Sequence, residues 1–297
     1  MSTYNGEKYL REQIDSILNQ DYPEISLLIR DDGSTDGTVD ILKEYAQKYR
    51  DIDYYVGENL GVQNSFFDLM KRADKRAYYY AFADQDDVWL PGKIKRAIEL
   101  LEREDEKKDK RKPLLYGGRV TYASENLEYT KEMIFHNRKD PGLGNALVEN
   151  IFIGCTEVFN KELLQLVILH IPKCEILHDW WLYLSASCFG SVIYDQNSYL
   201  FYRQHLNNQV GIQNSWIKHW IVRKKRFGKR KNTLSDQAWE FIRVYGTQYE
   251  KYKIVAMVAE YKKDIKSRCY ISRSGQIYRQ QRIDDIIYRI LFLLGVL

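Results

Sequence analysis

The sequence predicts an α/β protein built on a mostly parallel, doubly wound sheet with helices on both faces, followed by a C-terminal helical extension. Three observations support this fold. Strand-like apolar runs alternate with helical spacings through the first third of the chain. Two aspartate clusters directly follow predicted strands, where the ligands of such sheets bind. The pattern beyond Gln213 is helical.

The alternation of elements begins close to the amino terminus. From Glu7 to Asn19 the residues Leu10, Ile14 and Ile17 recur at helical spacing. A proline in the first turn marks the start of the last helix in this series. In order, the pattern predicts a helix at Glu7–Asn19, a strand at Ile25–Ile29, a helix at Val39–Tyr49, a strand at Ile52–Val56, a helix at Val62–Ala73, a strand at Ala77–Ala83 and a helix starting at Pro91.

The charged stretch from Glu102 to Lys112 predicts a solvated helix end and a linker. Strand character resumes over Leu114–Tyr122. We therefore predict one half of the main domain over residues 1–112, a second half over 113–212, and a basic, amphipathic helical region over 213–297. Helices in the later part are predicted at Leu143–Glu149, Lys161–His170, Asp179–Cys188 and Ile283–Leu297.

The first residues carry an unusual pattern. Ser2 to Gly6 has the composition of a loop that follows a first strand, yet no strand sequence precedes it. We therefore expect that the native reading frame begins several residues upstream of Met1, or that the chain is truncated.

Composition narrows the class of protein. The chain has 44% hydrophobic and 29% charged residues, which is ordinary for a globular protein. Four cysteines are scattered without a C-x-x-C pair, which favours a reducing cytoplasm. Neither a signal-peptide pattern nor an apolar run of membrane-spanning length occurs.

A basic segment covers residues 216–232 and reads WIKHWIVRKKRFGKRKN, with no acidic residue. Such a segment predicts an anionic partner, either nucleic acid or an anionic membrane surface. Interleaved aromatic and aliphatic side chains such as Trp216, Trp220 and Phe227 favour the membrane. A solvated basic helix face would show the same charge pattern.

The first candidate site follows the Ile25 strand and reads Arg30-Asp31-Asp32-Gly33-Ser34-Thr35-Asp36-Gly37-Thr38. A carboxylate at this turn can accept the imide N–H of a uracil or thymine ring. The following hydroxyl and carboxylate side chains can cap the next helix. Taken alone, the segment is equally typical of a polar turn with a helix cap.

The second candidate site contains Asp84, Gln85, Asp86 and Asp87, directly after an apolar strand. Three carboxylates so close together repel one another unless a cation lies among them. Mg²⁺ or Mn²⁺ takes oxygen ligands and commonly shares them with substrate phosphates. An acidic loop before a helix is the alternative interpretation.

Two further motifs lie in the second half. Asp179, between His178 and two tryptophans, would be partly desolvated, which suits general-base catalysis, although an N-cap aspartate has the same pattern. Arg203 could hold phosphate oxygens, and His205 could bind phosphate or complete a metal shell. A lone histidine is more often structural.

Together, these motifs resemble glycosyltransferase family 2, an inverting group with the nucleotide-binding GT-A fold. The resemblance runs from Ser2 to about Gly211. It implies that Asp84 and Asp86 form a DXD motif that binds the donor and the metal, and that Asp179 is the catalytic base. The residue preceding this base is often Glu in the family, whereas here it is His178. The implied nucleotide-binding residues are Thr3, Tyr4, Asn5, Glu7, Asp31, Asp84 and Gln85, and the implied metal ligands are Asp86 and His205.

More narrowly, the chain is similar to bacterial rhamnosyltransferases of cell-wall or capsular polysaccharide synthesis. The likeness lies in Asn150–Thr156, His178–Trp181 and Tyr202–His205. It implies dTDP-L-rhamnose as donor. The Gln-x-x-Arg-Trp sequence of processive synthases is absent, which predicts one sugar per binding event. The residues implied in acceptor or phosphate binding are Gly154, Cys155, Trp180, Trp181 and Arg203.

Other enzyme classes lack their motifs here. There is no Gly-x-Gly-x-x-Gly turn, no Gly-Lys-Ser/Thr turn and no His-Glu-x-x-His. A nucleic-acid-binding module would leave the acidic cluster unexplained. We therefore expect a metal-dependent inverting glycosyltransferase that acts on a lipid-linked glycan at the inner face of the cell membrane and binds no nucleic acid. The alternatives are another hexose donor or a non-catalytic nucleotide-sugar or nucleic-acid binding module.

Overall fold

The computed structural model describes residues 1–107, 111–132, 139–174, 176–205 and 234–297. The basic segment at 216–232 lies outside the described residues. The chain divides into two compact units. The first unit comprises Met1–Phe135, Asn150–Ile171 and Leu177–Arg203, and the second comprises His136–Glu149, Pro172–Ile176 and Gln204–Leu297.

The first unit alternates helices and strands as predicted, with most boundaries within a few residues of the expected ones. The helix expected from Pro91 begins instead at Lys93, after a Gly92 cap. Its elements are β1 Ser2–Thr3, α1 Leu10–Leu18, β2 Leu27–Asp31, α2 Thr38–Lys48, β3 Ile52–Val56, α3 Gly61–Arg72, β4 Tyr79–Ala81, β5 Val88–Trp89, α4 Lys93–Asp105, β6 Leu114–Ala123 and β7 Tyr129–Glu132. After α5 of the second unit, it continues with a 3₁₀ turn at Gly154–Thr156, β8 Val158–Asn160, α6 Lys161–Leu169, α7 His178–Phe189 and β9 Ser191–Arg203.

The strands of the first unit form two sheets. The first has three parallel strands in the order β1-β2-β3. Ser2 and Thr3, expected to follow a missing strand, themselves pair with Arg30 and Asp31 as β1. The second sheet has the order β4-β8-β6-β9-β5, with β7 paired to β6.

The second sheet departs from the mostly parallel order that the sequence predicts. Its central strands β6 and β9 are parallel, but β4, β5, β7 and β8 pair antiparallel to their neighbours. Antiparallel pairs need no crossover helix, so short strands can be added to a parallel centre. The parallel prediction therefore holds for the first sheet and for the centre of the second.

The core lies on both faces of the second sheet. In β6, Leu114 and Tyr116 belong to a buried cluster with Leu10 of α1, Leu42 of α2 and Leu101 of α4. The side chains of a strand alternate between faces, so Leu115, which is fully buried, points to the other side. Helices α6 and α7 contact β6. The sheet is thus covered by helices on both faces, as predicted.

The second unit is helical where the structure describes it. It contains α5 Leu143–Ala146, α8 Leu234–Tyr245, α9 Tyr252–Glu260, α10 Ile265–Ser274 and α11 Arg282–Leu294. A buried ion pair joins Arg279 to Glu149 at 3.0 Å. Among the described residues, no helix combines the length and the apolar composition that crossing a bilayer requires.

Candidate active site

The end of β2 presents a fixed carboxylate. Asp31 is fully buried and accepts hydrogen bonds from the backbone N–H groups of Gly33 at 3.1 Å and Ser34 at 2.9 Å, and from the Ser34 hydroxyl at 2.5 Å. Gly33 has φ of +83°, a left-handed conformation that glycine adopts without steric cost. A carboxylate has about four acceptor sites, so Asp31 keeps capacity for one more donor.

The amide of Gln85 joins two loops of the site. Its Oε1 accepts the Thr3 hydroxyl at 2.6 Å and the Tyr4 backbone N–H at 2.7 Å. Its Nε2 donates to the Tyr4 carbonyl oxygen at 3.1 Å. The structure therefore brings the predicted nucleotide-binding residues Thr3, Tyr4 and Gln85 together. Tyr4 leaves its side chain half exposed, while Thr3 is buried.

Asn5 and Glu7 attach the same loop to the start of α2. Asn5 Oδ1 accepts the Thr35 backbone N–H at 2.9 Å, and the Asn5 backbone N–H donates to Ser34 Oγ at 2.8 Å. Glu7 Oε2 accepts the backbone N–H of Gly37 at 2.9 Å, beside the helix amino terminus. An acidic side chain is favourable there. Both side chains thus organise the loop around Asp31.

The acidic loop lies between β4 and β5 in the first unit. Asp87 is buried, whereas Asp84 and Asp86 are partly exposed. The carboxylate of Asp87 accepts hydrogen bonds from the Cys155 thiol and the Arg203 backbone N–H. Among the described residues, Asp87 Oδ2 has no partner. A buried carboxylate oxygen without a donor is unfavourable unless a cation or a proton compensates it.

Burial and the nearness of several carboxylates raise the pKa values of the aspartates in this loop. Burial, followed by the charges of Asp86 and Asp179, raises the pKa of Asp84 to about 7. Burial and the charges of Asp84 and Asp86 raise the pKa of Asp87 well above its usual value. Burial lowers the pKa of the nearby Lys93 to about 7, so at neutral pH this ammonium compensates the acids only in part.

The residues present fit a divalent cation. One ligand atom from each of Asp84, Asp87 and Cys155 lies within 4.8 Å of the others. Burial raises the pKa of the Cys155 thiol well above its usual value, so the sulfur stays protonated. Hard cations such as Mg²⁺ and Mn²⁺ prefer carboxylate oxygens. Asp84 and Asp87 offer those oxygens, whereas the predicted ligand Asp86 is not part of this group, and its charge raises the pKa of both neighbouring aspartates.

Asp179 stands in the first turn of α7 and is partly exposed. Its Oδ1 accepts the Trp180 backbone N–H at 2.6 Å, and the carboxylate also accepts the Gly154 N–H and the Asn150 side chain. Burial nevertheless raises the pKa of Asp179 to about 6. The carboxylate is therefore ionised at neutral pH, with a proton affinity close to that of a general base. Its charge also raises the pKa of Asp84, so the two acids act on one another.

Glu157 is a residue that the sequence analysis missed. It is fully buried just before β8, and both carboxylate oxygens lack a hydrogen-bond partner among the described residues. Burial, followed by the charge of Asp179, raises the pKa of Glu157 well above its usual value. An acidic residue inside the apolar stretch from Ile151 to Phe159 was the available signal.

His178 is buried within an aromatic cluster next to Asp179. Its ring stacks on Phe66 with the centroids 4.1 Å apart and meets the edge of Phe82 at 4.9 Å. Burial lowers the pKa of His178 to about 3, and neither ring nitrogen has a hydrogen-bond partner among the described residues. The imidazole is therefore neutral and serves packing at the position where the family often has an acid.

The Arg203 guanidinium donates hydrogen bonds to acceptors within the first unit. Nε donates to the Asp86 carbonyl oxygen at 2.9 Å, and the other nitrogens donate to the Glu125 carbonyl oxygen and the Glu12 carboxylate. The guanidinium also lies over the Tyr9 ring, 4.7 Å from its centroid. We expect that the contribution of Arg203 is to hold the acidic loop, because each nitrogen already has an acceptor.

The remaining residues that the sequence predicts for acceptor or metal binding differ in their burial and surroundings. Trp181 is fully buried and donates its indole N–H to the His170 carbonyl oxygen at 3.0 Å, which argues against the predicted acceptor contact. Trp180 is almost fully buried. A Cβ on Gly154 would lie 2.9 Å from His178 Nε2, so only glycine fits there without a shift. His205 falls in the second unit, and its role as a metal ligand stays a prediction.

Comparisons with known proteins show the family of the chain. The family model described as glycosyl transferase family 2 matches residues 1–165. The dTDP-rhamnosyl transferase RfbG of Shigella flexneri is 32% identical over 261 residues, which cover 80% of this chain and 86% of that protein. The putative teichuronic acid biosynthesis glycosyltransferase TuaG of Bacillus subtilis is 28% identical over 225 residues, which cover 74% and 84% of the two chains.

Solved structures resemble the chain at lower sequence identity. TarS 1–349 of S. aureus, in complex with UDP-GlcNAc, superposes with a TM-score of 0.57 at 14% identity and covers 99% of this chain and 89% of that one. The mannosyltransferase PcManGT of Pyrobaculum calidifontis, in complex with GDP-Man and Mn²⁺, gives a TM-score of 0.53 at 14% identity, with 99% and 84% covered. At such identities the likeness shows the fold alone.

Proposed function

Because this chain belongs to glycosyltransferase family 2 and is therefore a glycosyltransferase, we propose that it transfers L-rhamnose from dTDP-L-rhamnose to a hydroxyl of a lipid-linked glycan during polysaccharide synthesis. The observation that carries the transfer chemistry of this proposal is that Asp179 lies near enough to the acidic loop for its charge to raise the pKa of Asp84. It links the acidic loop to a carboxylate whose pKa is about 6. The names of the relatives RfbG and TuaG support the donor and the polysaccharide pathway.

The nucleotide would bind between the Asp31 turn and the loop from Thr3 to Glu7. Asp31 is held by three local hydrogen bonds and retains acceptor capacity for the imide N–H of thymine. The half-exposed Tyr4 offers an aromatic face beside it. Gln85 keeps this loop attached to the acidic loop, so the base and the diphosphate of one donor can bind together.

The acidic loop would hold Mg²⁺ or Mn²⁺ through Asp86 and Asp84. Such an ion, when bound, neutralises the departing nucleoside diphosphate as a Lewis acid. The protein's own contribution is to fix the loop. Arg203 donates to the Asp86 carbonyl oxygen, and Gln13 Nε2 donates to the Asp84 carbonyl oxygen at 2.9 Å. These contacts hold the backbone of the loop at both aspartates.

Asp179 would remove the proton of the acceptor hydroxyl as that oxygen attacks the anomeric carbon in a single displacement with inversion. The hydrogen bonds from Trp180, Gly154 and Asn150 orient the carboxylate. Its raised pKa makes the proton transfer more favourable than it would be to an ordinary aspartate. Binding both substrates in attack geometry supplies a further part of the rate.

We include in the proposal a peripheral position on the inner face of the cell membrane, where a lipid-linked acceptor would lie. The basic composition of residues 216–232 supports an anionic surface as partner.

Donor profiling tests the proposal. The purified protein is incubated with a panel of dTDP-, UDP- and GDP-sugars, Mn²⁺ and an extracted lipid-linked glycan, and the released nucleoside diphosphate is measured. We expect transfer from dTDP-rhamnose, with the Asp179→Asn variant as the blank. Transfer from a different donor would refute rhamnose as the donor sugar and leave the assignment as a glycosyltransferase unchanged. Binding without turnover of every donor would refute catalysis.

A further inference from the structure

Helix α11 in the second unit is amphipathic with its apolar side outward. The buried side carries Asp284, Asp285, Tyr288 and Phe292. The opposite side carries apolar residues that are 45% to 62% exposed. We call these residues the apolar stripe: Ile283, Ile286, Ile290, Leu293 and Leu294. Their spacing of three and four residues places them on one face of the helix.

Buried ion pairs fix this orientation of the helix. Asp285 accepts the Arg279 backbone N–H at 2.9 Å and Arg289 Nε at 3.2 Å. Asp284 lies 3.8 Å from the Arg279 guanidinium, which also pairs with Glu149 at 3.0 Å. Rotating α11 to bury the apolar stripe would separate these charges, and breaking a buried ion pair is strongly unfavourable. These buried contacts therefore keep the apolar stripe on the exposed side of α11.

The charged residues of the segment that forms α10 and α11 are mostly basic. Helix α10 packs against α11. Residues 261–297 contain eight Lys and Arg and three Asp. All three aspartates are engaged, because Asp284 and Asp285 are buried and Asp264 caps α10 through the Lys266 and Ser267 backbone N–H groups. The exposed charged side chains of this stretch are Lys262, Lys263, Lys266, Arg273 and Arg282.

We propose that the apolar stripe is a membrane-docking surface that lies on an anionic lipid bilayer. The stripe enters the boundary between headgroups and acyl chains, and the exposed Lys and Arg side chains contact headgroup phosphates. At 13 residues, α11 is about 20 Å long, a length suited to lying in the interface. This surface deepens the peripheral position stated under the proposed function, and it does not depend on the identity of the donor.

Charge complementarity favours an anionic membrane over two other candidates that could cover the apolar stripe. Residues 206–233 contain the basic run and would bring further positive charge to a positive surface. A second copy of the chain, docked stripe to stripe, would oppose its own Lys and Arg residues. An anionic bilayer satisfies both the apolar area and the charge.

Vesicle flotation with full-length protein tests the proposal. The vesicles contain either phosphatidylcholine alone or equal parts of phosphatidylcholine and phosphatidylglycerol. The double variant Ile286→Ser/Ile290→Ser should bind anionic vesicles roughly tenfold or more weakly than the unchanged protein, because two exposed side chains lose their apolar contact with lipid. The matched control is Val56→Ser/Leu169→Ser, which removes exposed apolar residues from the first unit and should bind normally.

A photoreactive benzoylphenylalanine in place of Ile286 identifies what covers the stripe. Crosslinking to phospholipid in the presence of anionic vesicles supports the proposal. Crosslinking mainly to residues 206–233 or to a second chain would overturn it, as would undiminished vesicle binding by the folded double variant. Donor turnover is measured in the same samples. Lost turnover with vesicle binding kept would count against the proposed function and leave the docking surface standing.

Discussion

Replacing Asp179 with asparagine tests the proposed catalytic base. The carboxylate accepts hydrogen bonds from Trp180 at 2.6 Å, from the Gly154 N–H and from Asn150. An asparagine oxygen can keep part of this set, while its amide nitrogen cannot accept. Asparagine also removes a buried charge that is unfavourable at neutral pH, which offsets the lost acceptor, so we expect the free energy of unfolding to change by less than about 3 kcal/mol, with the fold retained. Circular dichroism and thermal unfolding check this.

The expected loss of turnover follows from the role of a general base, about 10²-fold or more. The pH dependence is a sharper sign. Burial raises the pKa of Asp179 from 3.8 to about 6, so the carboxylate is about nine-tenths ionised at pH 7 and about one-tenth ionised at pH 5. The base is active when ionised. Saturating Mn²⁺ displaces the proton from Asp84, whose pKa is also raised, so that its titration does not contribute. Under this condition the turnover of the unchanged protein should fall roughly tenfold between these pH values, whereas the residual rate of the variant stays flat.

The assay measures nucleoside diphosphate released at saturating donor and acceptor, with donor affinity determined separately by calorimetry. Asp40→Asn is the matched control, because it makes the same change at an exposed position in the first turn of α2. It should keep normal turnover. Near-normal turnover of Asp179→Asn, or a variant that keeps the same fall toward pH 5, would refute the assignment.

Three further predictions concern neighbouring features. The pKa of Glu157 is raised, so the free-energy cost of burying its carboxylate grows as the pH rises above the ordinary glutamate pKa of 4.5. Glu157→Gln should therefore be more thermally stable than the unchanged protein at about pH 8 and should lose this advantage at about pH 5. A Cβ on Gly190 would lie 1.7 Å from the Pro113 carbonyl oxygen, so Gly190→Ala should lower the free energy of unfolding, measured by chemical denaturation, by more than about 4 kcal/mol. The control Gly246→Ala, at φ of +76° with open space around the new Cβ, should lower it by about 1 kcal/mol. Cys155→Ser should leave the Mn²⁺ dependence of donor turnover unchanged, because a protonated thiol is a poor ligand for a hard cation; a lost Mn²⁺ response would make the sulfur a ligand.

Local sequence patterns were sufficient to predict an α/β sheet covered by helices on both faces, and the resemblance of the motifs to a family implied the GT-A fold. Asp31 and Asp84 were expected at strand ends, and the structure places Asp31 at the end of β2 and Asp84 in the loop after β4. Long helices such as α2 show their period clearly. The antiparallel β4–β8 pair was missed because each strand has only three residues, too few for a pattern that distinguishes pairing direction.

Contacts between distant residues were beyond the sequence patterns. Glu157 and Asp179 are separated in the sequence by β8 and α6, and only the folded unit brings their charges into interaction. The hydrogen bond from Arg203 to the Asp86 carbonyl oxygen likewise joins residues that are 117 positions apart in the sequence. Arg203 was predicted to hold phosphate oxygens, because sequence alone does not report which donors already have acceptors inside the protein.

The central claim is that the acidic loop binds a nucleoside diphosphate through a divalent cation, and calorimetry of the full-length protein tests it most directly. dTDP and UDP are titrated with and without Mn²⁺, into the unchanged protein and into Asp86→Asn. We predict that Mn²⁺ raises the nucleotide affinity of the unchanged protein by roughly tenfold or more, and that Asp86→Asn loses most of this gain. Equal affinity with and without Mn²⁺ for both nucleotides, in folded protein, would contradict the account.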